Sequence, residues 1–309
     1  MAGPLPRYLL PDTAEIGPEG NTAVGGCDLV DLANQWGTPL FVYDEDHLRS
    51  RCREAVAAFG GGVAYASKAF LCSAMARLAH EEGLQLDVAT GGELFLARRA
   101  GVPGNRLVLH GNNKSDAELA MAVDEGVGRI VIDSFDELDR LEALHSATGV
   151  VPRVLLRVTP GVEVHTHEFI ATGQDDSKFG FTVKGGLADS AVRRASASTA
   201  VDLVGLHAHI GSQVFDVEPF ARAIDVLAAF AAPYDLPELS VGGGLGVPYV
   251  EGESAPTIGE WADAIHKACV QAGVTSEVTA EPGRAIVAAA AITLYRVGTI
   301  KDLPGLRTY

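Results

Sequence analysis

The sequence predicts a closed (β/α)8 barrel, and three observations carry that prediction. Short apolar runs recur along the chain, separated by stretches whose apolar residues repeat at three and four. The runs are continuously apolar, the pattern of parallel strands covered on both faces. Eight of them follow one another, the count of a barrel rather than of an open doubly wound sheet. The open-sheet alternative also lacks its dinucleotide fingerprint: "VGGGLGVPY" puts Val247 where G-x-G-x-x-G needs its last glycine.

The predicted strands, in order, are "GVAYAS" (62–67), "LQLDVA" (84–89), "RLVLHG" (106–111), "RIVID" (129–133), "RVLLRVT" (153–159), "DLVGLHAHI" (202–210), "LSVGG" (239–243) and "EVTAEPG" (277–283). Helical stretches such as "SAMARLAHEEG" and "DELDRLEALHSATG" lie between them, each ending near a glycine. Two flanks fall outside. Residues 1–45 carry a strand in "TPLFVYDEDHL" and belong partly to a second, β-rich domain. The barrel spans 46–288. Residues 289–309 start the rest of the β-domain, with "TLYRVGTI" as a strand entering it, and "RTY" stops in mid-domain. The run "AIVAAAAITLY" (285–295) is too short for a membrane span of ~20 residues and reads as a buried strand or helix.

Composition narrows the function classes. The chain has 309 residues, 47% hydrophobic, and a formal net charge of −16, which repels nucleic-acid phosphates. Cys27, Cys52, Cys72 and Cys269 are scattered and form no CxxC, so free thiols in a reducing compartment are expected. With no apolar leader segment, the expected location is cytoplasmic, without membrane attachment.

In such barrels the chemistry stands at the C-terminal ends of the strands. Strand one delivers Lys68 in "VAYASKAF", among small and apolar residues where lysine is normally avoided. There are six lysines against 18 arginines, so the position is not filled by habit. A desolvated lysine loses proton affinity and becomes an amine nucleophile; a snorkelling surface lysine is the bland alternative. Strand two adds Asp87 and Glu93, strand three His110 and "GNNK", strand six His207 and His209, strand eight Glu281. "IGS" (210–212), "GGG" (242–244) and "PGR" (282–284) bring backbone N–H groups, the Ser212 hydroxyl and the Arg284 guanidinium, the parts of a phosphate cradle. A reactive amine, a phosphate cradle and an acid together point to pyridoxal 5'-phosphate, held by Lys68, with Glu281 keeping the pyridine nitrogen protonated. A metal pair at His207 and His209 is the sharp alternative. It sits on the sixth strand, whereas zinc-dependent barrel hydrolases carry HxH on the first, so no metal is expected.

The motifs "YASKA", "DVATGGEL", "HGNNK", "RVTPGVEVHTHEFIATGQDDSKFGF", "GLHAHIGSQ", "VGGGLGVPY" and "AEPGRAIV", in this order, resemble diaminopimelate decarboxylase, of the PLP-dependent decarboxylases with an alanine-racemase-like fold. The resemblance runs from about residue 25 to the end. It implies that Lys68 is the Schiff-base lysine, that His209 stacks on the pyridine ring, and that Glu281 meets the ring nitrogen. It implies phosphate and ring contacts from Ser212, Gly243, Gly244, Pro282, Gly283 and Arg284, with Arg284 also touching substrate. The implied reaction is decarboxylation of meso-2,6-diaminopimelate to L-lysine. Decarboxylation of ornithine or arginine, or PLP carriage without turnover, are the alternatives. A role for "GQDDSKFGF" (173–181) beside the mouth, which contains Lys178 and Phe179, is not assigned. Members of the family are longer, so the chain reads as C-terminally truncated. The remainder is expected to complete the β-domain and to supply a Cys-Glu-Ser motif and tyrosines across a homodimer interface, with the cysteine as proton donor.

Overall fold

The computed structural model describes residues 5–162, 177–305, 307 and 308. Eight parallel strands form the central sheet: β1 (Ala64–Ala66), β2 (Gln85–Val88), β3 (Leu107–Leu109), β4 (Arg129–Ile132), β5 (Arg153–Thr159), β6 (Asp202–His207), β7 (Glu238–Ser240) and β8 (Glu277–Thr279). Each pairs with its neighbours in sequence, Tyr65 opposite Leu86 between β1 and β2, and Leu239 opposite Val278 between β7 and β8. Ala64 N–H donates to Ala280 O at 3.0 Å and Ala66 N–H to Pro282 O at 3.2 Å, which joins β1 to the β8 side and closes the ring. All eight expected strands are present, each within the expected run apart from β7, which starts one residue early. A short strand, Phe181–Thr182, pairs in parallel with the end of β5.

Helices α1 (Ser73–Glu81), α2 (Gly91–Arg99), α3 (Asp116–Asp124), α4 (Phe135–Thr148), α5 (Leu187–Ala197), α6 (Glu218–Ala231), α7 (Ile258–Ala272) and the single turn α8 (Arg284–Val287) follow the strands. Their ends are written locally. Ser115 with Glu118, and Thr257 with Glu260, form reciprocal capping boxes at the starts of α3 and α7. Gly149 ends α4 in the left-handed conformation, φ +72°. The helix Glu45–Phe59 packs on α7, where Trp261 is fully buried with the Phe59 and Phe220 rings edge-on at 5.2 and 5.4 Å. No helix among the described residues is long and apolar enough to cross a membrane.

Strand alternation sorts the core into two parts. Tyr65, Leu86, Leu107, Ile130, Ile132, Val154 and Leu156 belong to the cluster shared with the helices. Ala64, Val108, Val131, Leu155 and Val204 form a separate cluster inside the barrel. Two residues beyond three of these, on the same inward faces, stand His110, Asp133 and Arg157, all buried. Two residues before Val131 and Leu155 stand Arg129 and Arg153, both paired with Glu238 at the barrel floor. The barrel is thus filled by an ionic floor, an apolar waist and a polar upper layer.

The flanks depart from expectation in detail. Leu40–Tyr43 is a strand and pairs antiparallel with Ala291–Leu294. "TLYRVGTI" is a strand only as far as Leu294; Tyr295–Ile300 lie outside any strand and expose large apolar side chains. "AIVAAAAITLY" splits into α8 and this strand, which is only partly buried, so the run is neither one helix nor one buried strand. A three-stranded antiparallel sheet, Glu15–Ile16, Thr22–Val24 and Cys27–Asp28, and a helix Leu29–Trp36 precede it and were not anticipated.

Candidate active site

The polypeptide turns sharply after β1. Ser67–Ala69 form a 3-10 turn, and the buried Tyr65 pins it by donating its hydroxyl to Phe70 O at 2.6 Å. This turn carries Lys68 into a cavity of about 570 Å3 at the C-terminal end of the barrel. The expectation that Lys68 is desolvated is not met: its side chain is exposed, because the turn lifts it above the buried end of the strand.

His207 and His209 take different partners. His207, at the end of β6, is buried, and its Nε2 lies 3.0 Å from Glu281 Oε2. His209, past the strand end, lines the cavity and accepts the Gly243 N–H on Nδ1 at 3.2 Å. That bond makes Nε2 the protonated nitrogen of the neutral ring. Burial, then the Lys68 charge, hold His209 well below the ordinary histidine range.

A bulge in β6 explains why both histidines point inward. The pairing with β5 shifts between Leu203 and Gly205. Val204 faces the inner cluster, while Leu206 and Ala208 join the outer one. Strict alternation from Val204 would have sent His207 outward; the extra residue reverses the parity. Gly205 permits the close approach, since a Cβ there would stand 2.2 Å from Glu238 O.

Glu281 is the centre of the upper layer. Ser240 donates its hydroxyl to Oε1 at 3.0 Å, and His207 meets Oε2. His110 Nε2 lies 3.3 Å from Oε1 and 3.5 Å from Asp87 Oδ1. Burial would raise this carboxyl, but His110 and His207 outweigh it and hold Glu281 well below the ordinary range. Burial pushes His207 down to about 4, so it faces Glu281 as a neutral donor. Asp87, buried and near the Glu281 charge, is raised. His110, His207 and Glu281 present ligand-type atoms within 4.8 Å of one another, a grouping not anticipated from sequence. Of the two imidazoles, His207 is hydrogen-bonded to Glu281 and His110 stands against it at 3.3 Å.

The glycine-rich loops meet at the same cavity. A Cβ on Gly244, at φ +114°, would stand 2.2 Å from Gly211 O, so only glycine leaves this wall clear. Arg284 donates to the Tyr249 hydroxyl at 2.5 Å and to Ser212 Oγ at 3.5 Å, and its buried Nε finds no partner among the described residues. Lys68, His209, Ser212, Gly243, Gly244, Glu281, Pro282, Gly283 and Arg284 all line this one cavity. Glu93 does not reach it; its carboxylate turns back to the Ala89 N–H at the start of α2. In "GNNK", Lys114 is buried and bonds Glu137, away from the cavity. "HTH" (165–167) and the first four residues of "GQDDSKFGF" (173–176) lie outside the described residues. Lys178 and Phe179 are described, and Arg157 stacks on the Phe179 ring at 4.3 Å.

Residues 45–288 match the model of the pyridoxal-dependent decarboxylase family, pyridoxal binding domain. Diaminopimelate decarboxylase of Mycobacterium tuberculosis is 49% identical over 301 residues, covering 92% of this chain and 67% of that protein. This chain belongs to the diaminopimelate decarboxylase family. The Bacillus subtilis member is 42% identical over 317 residues, covering 97% of this chain and 72% of its own length. The crystal structure of diaminopimelate decarboxylase from M. jannaschii in complex with L-lysine aligns with a TM-score of 0.88 and 33% identity, over 95% of this chain and 71% of that one. The chain thus spans about two thirds of the length of these diaminopimelate decarboxylases. The barrel with flanking antiparallel strands is their fold, as the motifs implied.

Proposed function

We propose that this chain uses pyridoxal 5'-phosphate to decarboxylate meso-2,6-diaminopimelate to L-lysine and CO2. One observation carries the reading: amine, imidazole, carboxylate and glycine-lined cradle, drawn from β1, β6, β7 and β8, face a single cavity. Its volume, about 570 Å3, suits a cofactor with an amino acid.

The residues present fit the cofactor. The Gly243–Gly244 wall leaves no room for a Cβ, and the buried Nε of Arg284, beside Ser212, finds no partner among the described residues. These groups would hold the phosphate. Lys68 would hold the aldehyde, and the His209 ring would cover one face. When bound, the cofactor supplies an electron sink for the bond to CO2. Glu281, ionised, hydrogen-bonded by Ser240 and His207 and in close contact with His110, would hold a proton on the ring nitrogen, which deepens that sink. Solved diaminopimelate decarboxylases with L-lysine bound support the substrate assignment, at 30–33% identity against 25% for a lysine/ornithine decarboxylase from Vibrio vulnificus.

We also propose the barrel as a unit over 46–288, a homodimer, and a cytoplasmic location. Exposed Phe41 and Tyr249 at the cavity rim support the second, and four unpaired cysteines the third. The test is direct. Protein loaded with pyridoxal 5'-phosphate and meso-diaminopimelate should release CO2 and L-lysine. The bound cofactor should absorb near ~420 nm, and Lys68→Ala should abolish that band. Persistence of the band in Lys68→Ala would sink the assignment of Lys68. Cofactor binding with no CO2 would favour the carrier reading.

A further inference from the structure

We propose that His110, braced by Asp87, is a positioning residue of this reaction: it fixes the orientation and charge of the Glu281 carboxylate against the ring nitrogen of the cofactor. This rests on the assignment of pyridoxal 5'-phosphate to the cavity. It goes beyond that assignment, because His110 and Asp87 do not line the cavity.

A buried carboxylate stays ionised when donors surround it. Glu281 is hydrogen-bonded by Ser240 from β7 and His207 from β6, and the His110 imidazole at the end of β3 stands against it at 3.3 Å. Ser240 is a neutral hydroxyl, and His207 faces Glu281 neutral. Of the three, His110 is the one backed by a second carboxylate, with Nε2 3.3 Å from Glu281 and 3.5 Å from Asp87. The same nitrogen therefore stands within 3.5 Å of two buried acids, where the low local dielectric strengthens its attraction to negative charge. His207 packs edge-on against the His110 ring at 4.8 Å and limits its rotation. Asp133 and Arg157, 3.6 Å apart, complete the charged groups of this layer.

The geometry also excludes a purely space-filling role. Asp87 Oδ2 and His110 Nε2 are buried with no hydrogen-bond partner among the described residues, an arrangement a passive core would replace with apolar side chains. An Asp–His–acid chain that ends on the group facing the cofactor ties its upkeep to that group.

The test reads the ring nitrogen itself. Protein is loaded with pyridoxal 5'-phosphate labelled with 15N in the ring, occupancy is followed by absorbance, and the 15N resonance is recorded across pH. The wild type should show the protonated-ring position. His110→Phe should move the resonance toward the unprotonated position and weaken cofactor binding about 10- to 100-fold, the weight of one polar partner of a buried charge. His110→Gln, which keeps an N–H donor, should stay near the wild type. Asp87→Asn should shift in the Phe direction by less, and it decides the matter should the Phe variant not fold. A protonated-ring resonance unchanged in a fully loaded His110→Phe protein overturns the proposal and leaves the cofactor assignment standing. A wild type that binds no cofactor removes both.

Discussion

His207 and Glu281, 74 residues apart in sequence, meet inside the barrel at 3.0 Å. Burial holds His207 neutral down to about 4. An unfolded histidine takes up its proton near ~6.5. Between those values the unfolded chain binds a proton that the folded chain refuses, so stability falls as pH drops from about 6.5 to about 4. Glu281 adds a loss of the same sign at lower pH, since its lowered value gives stability that disappears as it protonates. His207→Gln keeps a donor and removes the titration. Urea unfolding at pH 7 and 5 should show the wild type losing about 2 kcal/mol more than the variant. Equal losses would mean that His207 does not titrate this way.

Gly244 is where backbone geometry and cofactor binding coincide. Alanine there meets Gly211 O and an unfavourable φ of +114°. Gly244→Ala should cost about 1–3 kcal/mol of stability and weaken cofactor binding by roughly tenfold or more. Gly252→Ala is the control: its φ is +91°, but no atom lies within 4 Å of the new Cβ. It should leave cofactor binding unchanged in an absorbance titration. Equal effects of both variants on binding would remove the cradle from the argument.

The strands, the cavity wall and the main polar groups were legible because each is local. A continuous apolar run, a glycine triplet or a lysine after a strand can be read where it stands. That one of His207 and His209 faces the cavity and the other supports it was legible from their spacing, but which does which, and the contact of His110 with Glu281, were not, because they depend on strand parity. Parity in β6 turns on the bulge at Val204, and the neighbouring Gly205, a glycine inside a strand, is the one available signal. Asp133 and Arg157 were also missed. Their signal was present in "RIVID" and "RVLLR", where charges four residues apart flank an apolar centre and share a face. Lys68 went the other way: apolar neighbours in sequence implied burial, but the turn after β1 exposes it.

Lys114 ties the loop after β3 to β4 and α4. Its ammonium donates to Gly111 O at 2.8 Å, Val131 O at 2.6 Å and Glu137 Oε1 at 2.7 Å, all in the interior. Burial lowers Lys114 and raises Glu137, so each depends on the other to stay charged. Lys114→Met leaves Glu137 without its cation and should destabilise the fold by about 3–5 kcal/mol. The double variant Lys114→Met, Glu137→Leu should recover most of that loss in urea unfolding. A single variant as stable as the wild type would show that the pair contributes nothing net.

Arg284 links two loops at the cradle. One nitrogen donates to the Tyr249 hydroxyl at 2.5 Å and another reaches Ser212 Oγ at 3.5 Å, with the guanidinium 5.6 Å from the Tyr249 ring centre. A planar fork can hold both loops and still offer its buried Nε to an anion; a lysine ammonium is a single point and cannot. Arg284→Lys should therefore weaken binding of pyridoxal 5'-phosphate by about tenfold or more while weakening pyridoxal, which lacks the phosphate, by less than about threefold. Tyr249→Phe removes one fork partner and leaves the fork itself, so its loss should be smaller than that of Arg284→Lys. Parallel absorbance titrations with the two vitamers separate these cases. Equal losses for both vitamers in Arg284→Lys would place Arg284 on the ring or substrate side of the cavity instead of at the phosphate.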